Sequence, residues 1–180
     1  MLGQSINYQK YDPKLAEELK VIFNQESTST LVIGLQEGLK NRFSFVPDAL
    51  AFWRQYLEDY EEFYLEYCKN SWYGSTFISR PYIDFLDNSK AKSQFEKLKK
   101  LCQGRDILIV EAYTSRSGVG NDLFDGAKSI KRIICPSRHA YDKKDEIMEA
   151  IVNHADGRLV LLMLGPTAKV LAYQLTTKGM

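Results

Sequence analysis

The chain has 180 residues and a mass of 20.7 kDa, 44% hydrophobic and 26% charged, so it is long enough for one domain with a substantial core. Its 24 Lys and Arg balance 23 Asp and Glu, which argues against a general phosphate-backbone binder and so against a nucleic-acid partner. No apolar run approaches the roughly 18 residues of a membrane span, and MLGQSINYQK lacks the basic and apolar regions of a signal peptide, so the expectation is a soluble, cytoplasmic protein.

In chain order, Asp12-Pro13 is a helix start, with a capping acceptor followed by proline at the first helical position. Leu15, Leu19, Ile22 and Phe23 continue it at helical spacing as far as Asn24. After a polar loop, Leu31-Val32-Ile33-Gly34 reads as a short buried strand. Asp48 is the expected cap of a long helix running to about Lys69, aromatic on one face and acidic on the other. Thr76 to Ile78 reads as a strand and Ser89 to Leu101 as a basic amphipathic helix whose lysines suit a solvated face.

The clearest strand is 107 to 111, because Ile107-Leu108-Ile109-Val110 is a continuous apolar run of the kind covered on both faces. Strands at 132 to 135 and 159 to 164 repeat the type, with helices at about 142 to 153 and 167 to 177. Strands separated by helices imply parallel pairing through right-handed crossovers, hence a three-layer α/β/α sandwich with a Rossmann-like, mostly parallel sheet. Cys68, Cys102 and Cys135 are widely spaced and only two histidines accompany them, so they read as reduced thiols rather than a disulfide framework or zinc site.

Ligands of open α/β sheets bind beyond the carboxyl ends of the strands, where loops converge and helix N-termini point outward. Four such ends carry polar chemistry. Glu111 to Asp122, directly after the best strand, combines a carboxylate, Ser115, Arg116, Gly118, Gly120 and Asn121, which suits a loop bringing N–H groups and a guanidinium onto a diphosphate. An ordinary connection, with its glycines serving turns and Asp122 a cap, accounts for the same residues. Gly165-Pro166-Thr167 opens the last helix with a hydroxyl and free N–H donors, or is a turn stabilised by proline. Arg80 leaves a third strand end, either toward the same rim or as a surface arginine, and His139 follows a fourth without a partner assigned by spacing. There is no GxGxxG, no Walker A and no GxSxG, so dinucleotide binding, nucleotide hydrolysis and acyl transfer all lose support.

Three ordered stretches, Val110 to Phe124, Ile130 to Pro136 and Leu164 to Ala172, resemble the GT-D-type bacterial glycosyltransferase family, whose members glycosylate cell-surface and serine-rich repeat glycoproteins. Tyr8 to Asp12 and Thr76 to Tyr82 also resemble its pattern, so the likeness covers nearly the whole chain; Ala112 departs from it where the family usually has glycine. Family members carry an RFGDGE-like segment ahead of this stretch and a DIGHxDxEY-like one after it, so the resemblance implies one glycosyltransferase domain, 1–180, truncated at both ends.

The resemblance implies a nucleotide-sugar donor, usually a UDP-sugar, a divalent metal such as Mn or Mg, and a glycan or glycoprotein acceptor. It names no metal ligand here. Arg80, Ser115, Arg116, Gly118, Gly120, Asn121, Gly165 and Thr167 are the expected donor contacts and Glu111 and Asp122 the catalytic candidates. Three roles stay open for the two carboxylates: positioning a sugar hydroxyl, accepting a proton from the acceptor, or holding a metal. Two further readings of the chain are a non-catalytic nucleotide-sugar-binding module and an interaction protein that docks through the aromatic helix.

Overall fold

The computed structural model describes residues 3–36 and 45–180. Among them the elements run α1 (Pro13–Phe23), β1 (Gly34–Leu35), α2 (Pro47–Tyr67), β2 (Gly74–Ser75), α3 (Ala91–Cys102), β3 (Asp106–Ala112), β4 (Ser129–Cys135), α4 (Lys144–His154), β5 (Leu159–Met163) and α5 (Pro166–Thr177). Single turns of 3-10 helix occupy Thr76–Ser79 and Ala140–Lys143. The fold is α/β with parallel pairing throughout its two sheets, as alternating strands and helices predict.

The chain forms two compact units, Met1–Ile22 with Lys99–Met180 and Phe23–Leu98. The first holds a parallel sheet of order β4-β3-β5, in which Ile109 lies opposite Arg132 on one side and Leu161 on the other. Because successive side chains of a strand alternate faces, Leu108 and Val110 pack with Ile147 and Ile151 of α4 and Leu171 and Leu175 of α5. Ile107 and Ile109 pack on the opposite face with Cys102 and Phe124. Central β3 is therefore apolar on both faces, as its uninterrupted run requires. Asp12 caps α1 as expected, its Oδ1 accepting from the N–H groups of Lys14 (2.8 Å) and Leu15 (3.0 Å).

In the second unit Gly34↔Gly74 and Leu35↔Ser75 form the whole ladder. The strand expected at 31–34 is thus only its last residue plus Leu35. The strand expected at 76–78 is a correction of kind: Ser75 Oγ accepts from the Phe77 N–H at 3.2 Å and caps a 3-10 turn at Thr76–Ser79. Local capping outcompetes the β propensity of a three-residue segment. Helix α2 is also capped differently, since Val46 occupies the cap position, Pro47 is first in the helix, and Asp48 sits inside the first turn. Ala49 and Trp53 of α2 pack with Phe45 and Phe77, so this part of the aromatic face is core, whereas Phe52 and Leu65 are exposed.

Candidate functional site

The three strands of the first unit end together, and a cavity of about 330 Å³ opens at that edge. Ala112, Thr114 and Ser115 reach it from the end of β3, Pro136 and Ser137 from β4, and Met163, Leu164 and Gly165 from β5. Tyr8, Gln9 and Ala140 add the remaining wall. A larger cavity, about 640 Å³, lies beside Asp106 and Leu159, at the amino ends of β3 and β5. Crossover helices of a parallel sheet present their N-termini at the carboxyl edge, so the smaller cavity is the one with the electrostatics of an anion site.

Helix α5 begins at that cavity. Gly165, its cap residue, holds a left-handed φ of +57°, and a Cβ on it would lie 2.6 Å from Tyr8 Cε2. Glycine is required here both by the backbone and by the tyrosine ring. Two residues on, Thr167 is fully buried and its Oγ1 has no hydrogen-bond partner among the described residues. A buried hydroxyl without a partner is costly, and it stands in the first helical turn, where Pro166 has no N–H, the Ala168 N–H donates to the Gly165 carbonyl at 3.2 Å, and the Thr167 N–H is the one left toward the helix start.

The loop after β3 is built on Glu111. Its side chain is buried within the sheet's edge, Oε2 accepting from the Ser117 N–H at 2.7 Å while Oε1 accepts from Arg132 Nη1. Arg132 Nη2 donates to the Ser117 carbonyl at 2.8 Å, so one carboxylate and one guanidinium hold the same residue through its two flanking peptide groups. Burial pushes the Glu111 carboxyl up, but the Ser117 hydrogen bonds and the Arg132 guanidinium outweigh it and hold it below its ordinary value. Arg116 and Gly118 both adopt positive φ, +49° and +74°, and Gly118 packs so tightly on Phe124 that a Cβ would meet that ring at 2.2 Å.

Asn121 Oδ1 accepts from the Leu123 N–H at 3.1 Å, a local turn device. Asp122 bonds Lys99 Nζ at 2.7 Å, and this hydrogen bond and charge hold its carboxyl below the usual range. No helix follows Asp122, so it caps none.

The expected donor residues thus divide. Ser115 and Gly165 line one cavity, with Thr167 in the adjoining helical turn. Arg116, Gly118, Gly120, Asn121 and Asp122 follow on the same loop but are not among the residues lining that cavity. Arg80 belongs to the second unit, where its guanidinium sits 4.8 Å over the Phe77 ring. His139 is structural: its Nδ1 accepts from the Lys10 N–H at 3.0 Å.

Sequence reading passed over Arg132, although a lone arginine opening the apolar run Arg132-Ile133-Ile134-Cys135 and a lone glutamate closing another are a pairing signal between neighbouring strands. Tyr8 and Gln9 carry the resemblance, and Ser137 lies beside His139 at the fourth strand end, but no spacing in the sequence assigns any of the three to this cavity. The expected divalent metal does not fit the residues present. Among the described residues no three His, Cys, Asp or Glu side chains could hold one, and the loop's two carboxylates already have cationic partners. No helix among the described residues is long and apolar enough to cross a membrane.

The family model for the glycosyltransferase GT-D fold matches residues 1–180. The chain is 55% identical over 179 residues to glycosyltransferase GlyD of Streptococcus pneumoniae serotype 4 (strain ATCC BAA-334 / TIGR4), covering 99% of this chain and 22% of that protein. It is 54% identical over 177 residues to the probable glycosyl transferase Gly of Streptococcus gordonii, covering 98% and 26% respectively. The chain therefore spans about a quarter of the length of these curated relatives. A solved structure described as a new glycosyltransferase (domain of unknown function 1792) from Streptococcus sanguinis superposes with a TM-score of 0.96 at 52% identity, over 99% of this chain and 67% of that one. Another, described as the highly conserved domain of unknown function 1792 with a distinct glycosyltransferase fold, matches with a TM-score of 0.96 at 50% identity, over 99% and 64%. With strand order, loop and cavity already in place, these likenesses show that the chain belongs to the glycosyltransferase GT-D fold family.

Proposed function

We propose that the chain binds the nucleotide-sugar donor, a UDP-sugar, of a glycosyltransferase that moves the sugar to a glycan or glycoprotein acceptor. The observation that carries this reading is the cavity that three parallel strands share, lined by Ser115 and by Gly165 at the start of α5, with the buried Thr167 hydroxyl, which has no partner among the described residues, two positions into the helix. A leaving diphosphate gathers negative charge as the sugar departs, and N–H groups at a helix N-terminus with a positioned hydroxyl stabilise that charge where it forms. Ser115 and Gly165 line the same cavity, and Arg116 with Gly118, Gly120 and Asn121 extends the donor set along the loop. Glu111 is proposed to act through Arg132 and Ser117, as a positioning residue for that loop. We place the sheet in a three-layer α/β/α sandwich, a reading supported by the apolar residues on both faces of β3.

The engagement of both loop carboxylates favours a second reading, in which these residues bind the donor without catalysing transfer by themselves. Titration calorimetry with UDP tests binding, and release of free sugar from a UDP-sugar panel separates the two readings. Thr167→Val is the sharpest variant. It removes an unsatisfied hydroxyl at constant volume, so its stability should lie within about 1 kcal/mol of wild type or above it, while UDP affinity falls severalfold. Unchanged affinity would remove Thr167 from the donor set.

A further inference from the structure

We infer that Tyr8 is a stacking platform for the donor's nucleobase, so that the cleft selects a planar heteroaromatic diphosphate over a bare one. The inference rests on the donor-site reading above and deepens it. Tyr8 lines the cavity and is 50% exposed, yet the backbone around it is held tightly. Ile6 and Gln9 exchange backbone hydrogen bonds at 2.9 and 3.1 Å, closing a tight turn around it. The Tyr8 carbonyl accepts from the His139 N–H at 2.8 Å, and Lys10 N–H donates to His139 Nδ1 at 3.0 Å. Gln9 is buried, with Oε1 accepting from the Tyr141 N–H at 3.4 Å. Anchoring at three consecutive residues sets where the ring stands.

The ring rests on Gly165, close enough that any Cβ there would overlap Cε2. The ring is therefore supported by the backbone that opens α5, and Tyr8 is one of the residues that border the cavity. The phenol hydroxyl has no hydrogen-bond partner among the described residues. A supported aromatic surface beside a helix N-terminus supplies both halves of nucleotide recognition: a π-face for the base and N–H donors for the phosphates. A bare diphosphate would use only the second half.

The test measures UDP and inorganic pyrophosphate affinity by calorimetry, with a melting curve, for wild type, Tyr8→Leu and Tyr8→Phe. Leucine keeps apolar cover on Gly165 but has no π-face. Y8L is expected to weaken UDP about tenfold, leave pyrophosphate affinity unchanged and keep the melting temperature, whereas Y8F stays within about twofold of wild type for both. Equal loss for both ligands in Y8L, or loss for neither, overturns the platform while leaving the donor site standing. Wild-type protein that binds pyrophosphate as tightly as UDP also overturns it. A wild type that binds neither ligand overturns the donor reading and the platform with it.

Discussion

Arg132 on β4 and Glu111 on β3 form an ion pair across two neighbouring parallel strands, and between them they hold residue Ser117 by both its N–H and its carbonyl. The pair sits where the polypeptide leaves the sheet for the loop that carries Arg116 and the two left-handed glycines. Its first consequence is structural. The Glu111 side chain is 2% exposed and that of Arg132 28%, so deleting the cation strands a carboxylate in a low-dielectric site. Arg132→Ala should cost roughly 3–5 kcal/mol, read as a lowered denaturation midpoint. Replacing both partners with apolar residues, Glu111→Leu with Arg132→Met, should recover much of that stability but not the loop geometry, and so not UDP binding.

The same pair sets a pH dependence. The folded Glu111 carboxyl lies below its ordinary value, so the unfolded chain binds the more protons between the two values. Its contribution is fully present above the usual glutamate value of about 4.3 and is lost as pH falls through the lower, folded value. Denaturant melts of wild type and Glu111→Gln between pH 6 and pH 3 should converge on acidification. A constant gap between the two curves would show that Glu111 is not the group responsible.

Arg116 behaves differently. The structural alternative for this arginine is a brace on Glu111 or Asp122, but those carboxylates are held by Arg132 and Lys99. Among the described residues the Arg116 side chain has no hydrogen-bond partner. Charge-assisted hydrogen bonds contribute roughly 1.5–3 kcal/mol each, so Arg116→Ala should weaken UDP binding about tenfold or more at an unchanged melting temperature. Arg116→Lys should restore part of that loss, because an ammonium lacks the bidentate fork. A lowered melting temperature with unaltered UDP affinity would reinstate the brace.

Gly118 and Gly120 separate strain from packing. Both have left-handed φ, +74° and +83°, but only at Gly118 would a Cβ strike a neighbour, the Phe124 ring. Gly120→Ala should cost about 1–2 kcal/mol for the backbone alone. Gly118→Ala adds overpacking of roughly 1–3 kcal/mol against a ring that belongs to the core on one face of β3. Equal destabilisation in paired thermal melts would mean that Phe124 yields without cost.

Much of this was legible residue by residue. The run Ile107 to Val110 declared a strand covered on both faces, Asp12-Pro13 declared the start of α1, and Gly165-Pro166 the start of α5, because each signal is complete within a few neighbouring residues. Where a segment was too short for its own propensity to prevail, local reading failed. Gly34–Leu35 is a strand only through pairing with Gly74–Ser75, and Thr76–Ser79 turned into a 3-10 helix once Ser75 capped it. The site divides along the same line. The polar loop after β3 could be found from composition, but the partners of its carboxylates could not. Glu111 meets Arg132 because the register sets Ile109 opposite Arg132, two residues short of Glu111 and on the same face, and Tyr8 meets Gly165 because Gln9 and His139 draw the N-terminal segment across the strand ends. Pairing of residues 21 or 157 positions apart depends on closing long loops and on which competing contacts are buried, and neither quantity is written in the residues on either side.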